Sequence, residues 1–178
     1  MLFIVAVMEL TSVATADPVT QPRLAGGATE TLLVGSNGFT LLTNLEVGYR
    51  LAGYYWIDVS LGFGAAEPSD PYALEADSAY EARAGLGWIR YYQVSSFGAV
   101  ASAGWTHRRL YFGDGLVEPR HWTEKDDVIF AEIRGVARAR VTRFAALELA
   151  AGPRSELALR GQGSVVALVG GMGIYATF

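Results

Sequence analysis

Few side chains in this sequence could carry out covalent chemistry. Its 178 residues include two histidines and no cysteine. Disulfides, thiol catalysis and Cys-based zinc sites are thereby excluded. His121 lies close in sequence to Asp114, Glu118, Glu124 and Asp126. A zinc site needs several such donors to converge. A solvated loop accounts for the same residues, and no metal is expected there. Asp126-Asp127 reads as a solvated strand start rather than a general acid/base pair. Gly170-Gly171-Met172-Gly173 is not followed by the helix that a phosphate-binding glycine loop requires; these glycines reduce bulk instead. No catalytic, cofactor-binding or metal-binding residue is expected. What the sequence holds in quantity is carboxylates and arginines at alternating positions, and the chemistry open to them is ion pairing.

Residues 127–142 show the pattern best. Ile129, Ala131, Ile133, Gly135, Ala137, Ala139 and Val141 carry no charge, while Glu132, Arg134, Arg138 and Arg140 occupy the intervening places. A period of two gives a β-strand with one apolar and one polar face. This one is much longer than the strand of about five or six residues usual in soluble proteins. The same alternation recurs along the chain. Its polar faces collect Glu46, Asp58, Glu81, Glu132 and Glu148 against Arg50, Arg83, Arg134, Arg138 and Arg140. Acids and bases balance, so the set can pair internally.

Eight strands are predicted, over residues 28–35, 39–51, 54–66, 78–90, 97–112, 127–142, 145–152 and 163–178. Ser36-Asn37-Gly38 supplies a tight hairpin turn, because Asn and Gly tolerate positive φ. Residues 67–77, 113–126 and 153–161 read as longer loops. All six prolines (Pro18, Pro22, Pro68, Pro71, Pro119, Pro153) fall in these loops or before the first strand. Proline cannot donate to a ladder, which agrees with that division. Residues 1–16 read as an export signal, with an apolar core followed by Ala14-Thr15-Ala16. Residues 17–27 read as a flexible leader, and 28–178 as one barrel domain.

Net charge is −4 and the pI is near 5.2, which gives no basic footprint for nucleic acid. Mean hydropathy is +0.24. No uncharged apolar run reaches the roughly 18 residues of a membrane-crossing helix. High apolar content without such a helix points to the other structure that satisfies its backbone in lipid, a closed barrel. The predicted fold is all-β: an eight-stranded antiparallel up-and-down transmembrane β-barrel whose polar interior is filled by side chains. A one-residue slip would turn every interior charge outward, so register is strongly specified. Aromatics sort into two rims, Tyr49, Trp88, Phe97, Phe144 and Phe178 at one and Phe39, Phe63, Tyr80 and Trp105 at the other. The alternative is a soluble lipocalin-like barrel, with the apolar face lining a ligand cavity and the charges outside.

The chain ends Gly173-Ile-Tyr-Ala176-Thr-Phe178. A terminal aromatic, an apolar residue two before it and a glycine five before it resemble the C-terminal signal of small Gram-negative outer-membrane barrels, the class of OmpX and the OmpA membrane domain. The resemblance covers residues 28–178. It implies outer-membrane localisation, contact with outer-membrane lipid and lipopolysaccharide, and insertion by the barrel-assembly machinery through Gly173, Ala176 and Phe178. It implies no single activity, since the class holds structural proteins, adhesins, small porins and lipid-modifying enzymes. Oligomeric state stays open. Outer-membrane lipid A deacylases pair a rim histidine with a serine two residues on. Here His107 is followed at that spacing by Arg109, so the nucleophile is missing. His107, Arg108 and Arg109 read instead as a rim facing lipopolysaccharide phosphates.

Overall fold

The computed structural model describes residues 23–35, 38–68, 73–75, 77–113, 121–142, 144–159 and 164–177. The expected export signal, Ser36-Asn37 of the first hairpin and Phe178 lie outside the described residues. Nine strands follow in order: β1 (Leu24–Gly35), β2 (Gly38–Ala52), β3 (Tyr55–Pro68), β4 (Ala73–Glu75), β5 (Asp77–Tyr91), β6 (Ser95–Gly113), β7 (His121–Arg140), β8 (Ala145–Ala158) and β9 (Ser164–Thr177). Apart from β4, each strand pairs antiparallel with its sequence neighbours. β1 pairs with β9, and the circuit closes. The result is an eight-stranded antiparallel up-and-down barrel, with short β4 appended to the far end of β6. Closure removes the unpaired strand edges that lipid could not solvate.

The turn from β2 to β3 is tight. Gly53 there has φ +55, a left-handed conformation that glycine adopts without a Cβ penalty, and the β2–β3 register shifts just before it, between Arg50 and Ala52.

Alternation decides which side chains turn outward. Leu41, Leu45 and Val47 on β2, Val59 and Leu61 on β3, and Leu168, Met172 and Ile174 on β9 are all exposed; Val166 reaches 73%. The rim aromatics Tyr49, Trp88 and Phe144 at one end, and Phe39, Phe63, Tyr80 and Trp105 at the other, are exposed too. An apolar wall facing outward overturns the lipocalin-like alternative, which needs that wall inside.

The interior is layered rather than uniformly polar. Ala25, Trp56, Ile89, Tyr91 and Tyr175 form an apolar cluster at the end that holds the chain termini. Leu33, Leu42, Ala66, Ala79 and Val169 form another toward the opposite, loop end. Charged side chains adjoin both clusters: Arg138 and Glu148 line a small cavity with Ala25 and Trp56, and Arg108 and Glu156 line one with Leu33. Cavities beside the inward charges measure about 20 Å³ or less, and buried side chains fill the lumen around them.

Four expected boundaries move, each for a backbone reason. β1 starts at Leu24, because residues 24–27 pair with both β2 and β9. β6 and β7 pair out to Gly113 and His121, so residues 121–126 of the predicted 113–126 loop belong to a long hairpin arm. β4 forms within the predicted 67–77 loop and pairs with Tyr111 and Phe112 of that arm. β8 runs through Pro153 to Ala158 rather than stopping at Gly152. Cα partners along β7–β8 run from Val128↔Ala158 to Glu132↔Arg154 and resume at Gly135↔Ala151. The ladder lapses only where proline has no N–H to give. Gly152 lies in that gap, where a Cβ would strike the Ile133 backbone.

Candidate functional site

The extension of β8 places two further charges in the lumen. Arg154 and Glu156 continue the inward parity set by Glu148, and both are buried. Arg154 donates to Glu81 at 2.7 Å and to the Thr106 hydroxyl at 2.6 Å. Its Nε lies 2.9 Å from Glu156, and its Cζ sits 3.4 Å from the Phe130 ring centroid. Cation and ring in that geometry attract, more so away from water.

Arg83 is the second hub. Its guanidinium bridges Glu46 and Glu132, the latter at 3.2 Å, with Glu81 at 3.7 Å. Arg134 Nε stands 3.0 Å from Glu132, and its guanidinium also approaches Glu46, at 3.8 Å. Glu46 additionally accepts from the Tyr175 hydroxyl and, at 3.2 Å, from Thr29. Toward the terminal end Arg138 donates to Glu148 at 2.6 Å and lies 4.3 Å from the Tyr175 ring centroid. Toward the loop end Arg108 pairs with Glu156. The charges thus form one ladder running up the barrel axis. Desolvated ions persist best when paired and hydrogen-bonded; this ladder supplies the pairing, while several of its buried atoms, Arg83 Nε and Glu132 Oε2 among them, make no hydrogen bond.

Of the residues expected inside, Glu46, Glu81, Arg83, Glu132, Arg134, Arg138 and Glu148 meet in this network. Asp58 lines a cavity of about 20 Å³ beside Glu46, Arg134 and Arg138, and its two oxygens are buried without a hydrogen-bond partner. Arg50 is half-buried, one step from the β2 register shift. Arg140 is exposed at the last residue of β7, beyond the layer that could bury it. Arg108, expected at the rim, points inward instead, since strand parity sets it opposite to His107. Arg154 and Glu156 are the residues sequence reasoning missed. The signal was the continued inward parity 148, 150, 152, 154, 156, masked by reading Pro153 as a strand stop.

The loop-end rim carries the one oriented imidazole among the described residues. His107 Nδ1 lies 2.9 Å from Asp127, its Cα partner on β7, and the ring stacks on Trp105 at 5.8 Å between centroids. Arg109 occupies the next outward position on β6 and is exposed. A carboxylate holding an imidazole is half of a nucleophile-activating pair. No group of His, Asp and Glu side chains among the described residues is arranged to hold a metal. Asp114 and Glu118 lie outside the described residues. Gly173 and Ala176 both sit on β9.

Neither a family model nor any curated protein sequence matches the chain. Solved structures do. Neisserial surface protein A superposes with a TM-score of 0.60 at 12% identity, over 87% of this chain and 96% of that one. The N-terminal β-barrel domain of Pseudomonas aeruginosa OprF gives 0.47 at 12% identity, over 89% of this chain and 100% of that one. Ail, the attachment invasion locus protein of Yersinia pestis, gives 0.49 at 10% identity, over 87% and 96%. The likeness to the Neisserial protein is one of fold: an eight-stranded barrel of the small outer-membrane type.

Proposed function

We propose that this chain, which has the fold of the small eight-stranded outer-membrane barrels, is an integral outer-membrane protein without catalytic activity. It works structurally or through the surface at its loop end, in contact with outer-membrane lipid and lipopolysaccharide. The observation that carries this reading is the partition of the wall. Between the aromatic rims the exposed face is almost wholly apolar, while the arginines and carboxylates of the same strands are buried and paired. Water would not require that partition, and hydrocarbon does. The small lumenal cavities argue against a pore. The hairpin arm of β6 and β7, joined by β4, extends the loop end and offers a point of contact with outside partners. Barrel-assembly machinery reading Gly173, Ala176 and Phe178 would insert it. Fractionation tests the reading: the protein is expected in detergent-extractable outer membrane, and recovery in the soluble periplasm would overturn it.

The His107–Asp127 pair favours a second reading, a barrel that cleaves acyl esters of membrane lipid. Arg109 in place of a serine weighs against it. Mass spectrometry of lipid A from expressing cells is expected to show unchanged acyl chains. Acyl loss that His107→Ala abolishes would establish the enzyme.

A further inference from the structure

The barrel mouth at the end that holds the chain termini gathers hydrogen-bond donors and positive charge. A cavity of about 20 Å³ lies there, where β5 gives way to β6 and β7 to β8. Tyr91, Ser96 and Arg138 form one row across it, since Tyr91 is the Cα partner of Ser96 and Ser96 that of Arg138. Arg140 stands two residues further along β7, and its backbone N–H donates to the Val94 carbonyl in the β5–β6 turn at 2.8 Å. Tyr92 and Ser95 complete the polar lining, and no carboxylate among the described residues contributes to it.

Donors in this mouth are left unused. Tyr91 is 6% exposed, and its hydroxyl makes no hydrogen bond. The Arg138 guanidinium acts on that hydroxyl from close by, but its own buried Nη1 makes no hydrogen bond either. Glu148 is held by Arg138 Nε at 2.6 Å. Arg140 is exposed and forms no ion pair among the described residues. Arg50 adds a further positive charge within reach of Tyr91. Buried donors without a partner cost free energy that a suitable acceptor recovers.

We propose that this mouth binds a phosphate group. The cavity holds about one water-sized atom, so it admits one phosphate oxygen. That oxygen accepts from the Tyr91 hydroxyl and Arg138 Nη1, while Arg140 bonds the oxygens left at the open edge. A guanidinium fork bonds two phosphate oxygens at once. Water would satisfy the orphaned donors but leave the charge of Arg140 unmatched, and the arginines repel a metal cation. The depth also suits a phosphate. Tyr92 packs edge-on against the rim residue Phe97, with ring centroids 6.2 Å apart, and rim aromatics lie at the level of lipid headgroups. A phosphate therefore reaches the mouth either free in water or on a headgroup.

The full chain, refolded in an alkyl maltoside that carries no phosphate, is titrated with sodium phosphate at constant ionic strength while arginine side-chain N–H resonances are followed by NMR. The resonances of Arg138 and Arg140 are expected to shift and saturate, with a dissociation constant on the order of 1 mM. Arg140→Gln should weaken binding about tenfold, and Tyr91→Phe about threefold, the losses of a charge-assisted and a neutral hydrogen bond. Mobility in cold detergent confirms that both variants fold. No saturable shift, equal binding of acetate or chloride, or an affinity unchanged in both variants would overturn the proposal. With the site upheld, displacement of the free ion by phosphatidylglycerol added to the micelles assigns the phosphate to a lipid headgroup, and no displacement assigns it to a soluble ligand.

Discussion

Arg154 offers the sharpest perturbation of the interior. Read as a loop residue after Pro153, it should matter little, since solvent-exposed ion pairs contribute about 0–1 kcal/mol. In the folded barrel its side chain is fully buried and contacts Glu81, Thr106, Glu156 and Phe130. Removing one partner of a buried ion pair typically costs about 3–5 kcal/mol, because the remaining charges are left uncompensated in low dielectric. Arg154→Ala leaves Glu81 with Arg83 at 3.7 Å and Glu156 with Arg108, so part of the charge stays neutralised. The loss expected is therefore near the lower end, about 3 kcal/mol. Urea titration of the barrel refolded into lipid vesicles measures it, with Arg140→Ala as an exposed control shifting the midpoint by less than about 0.5 kcal/mol equivalent. Combining Arg154→Met with Glu81→Gln removes one charge of each sign and should recover much of the loss. A penalty for Arg154→Ala no larger than the control's would refute the buried-network account and return residues 153–161 to a solvated loop.

Other consequences can be measured in the same system. Ile133 pairs with Ala101, midway along β6 between the rim aromatics Phe97 and Trp105. Ile133→Arg should cost about 2–4 kcal/mol and depress membrane insertion; normal insertion would show the faces to be inverted. Gly152→Val should destabilise by about 1–3 kcal/mol, since its side chain meets the Ile133 backbone, whereas Pro153→Ala should stay within about 0.5 kcal/mol. Asp58 has no hydrogen-bond partner for either oxygen. Asp58→Asn should leave stability unchanged or raise it, while Glu46→Gln, whose carboxylate serves Arg83, Tyr175 and Thr29, should lower the urea midpoint clearly. Planar-bilayer recordings should show no steady conductance through the plugged lumen.

Much of this molecule was legible in one dimension. Side-chain parity is a property of the extended backbone itself, so Ile133 and Arg134 were bound to face opposite sides whatever the strand met. That is why strand identity, the division of Glu46, Arg83 and Glu132 from Leu45, Ala84 and Ile133, and the barrel class follow from the sequence alone. Element ends were less legible, because they depend on whether a neighbour extends alongside. Thr123 and Glu124 look like loop residues until β6 and β7 align. Pro153 looks like a stop until β9 holds β8 in place through Leu168.

The partners within the network belong to the tertiary structure. Arg154 meets Glu81 across 73 positions of chain, and Tyr175 meets Glu46 across 129. Which carboxylate faces which arginine depends on how the registers climb around a closed circuit, and no local pattern encodes that. Closure also fixed the neighbours of Glu30, which β1 sets beside Thr43 of β2 and Met172 of β9 at once.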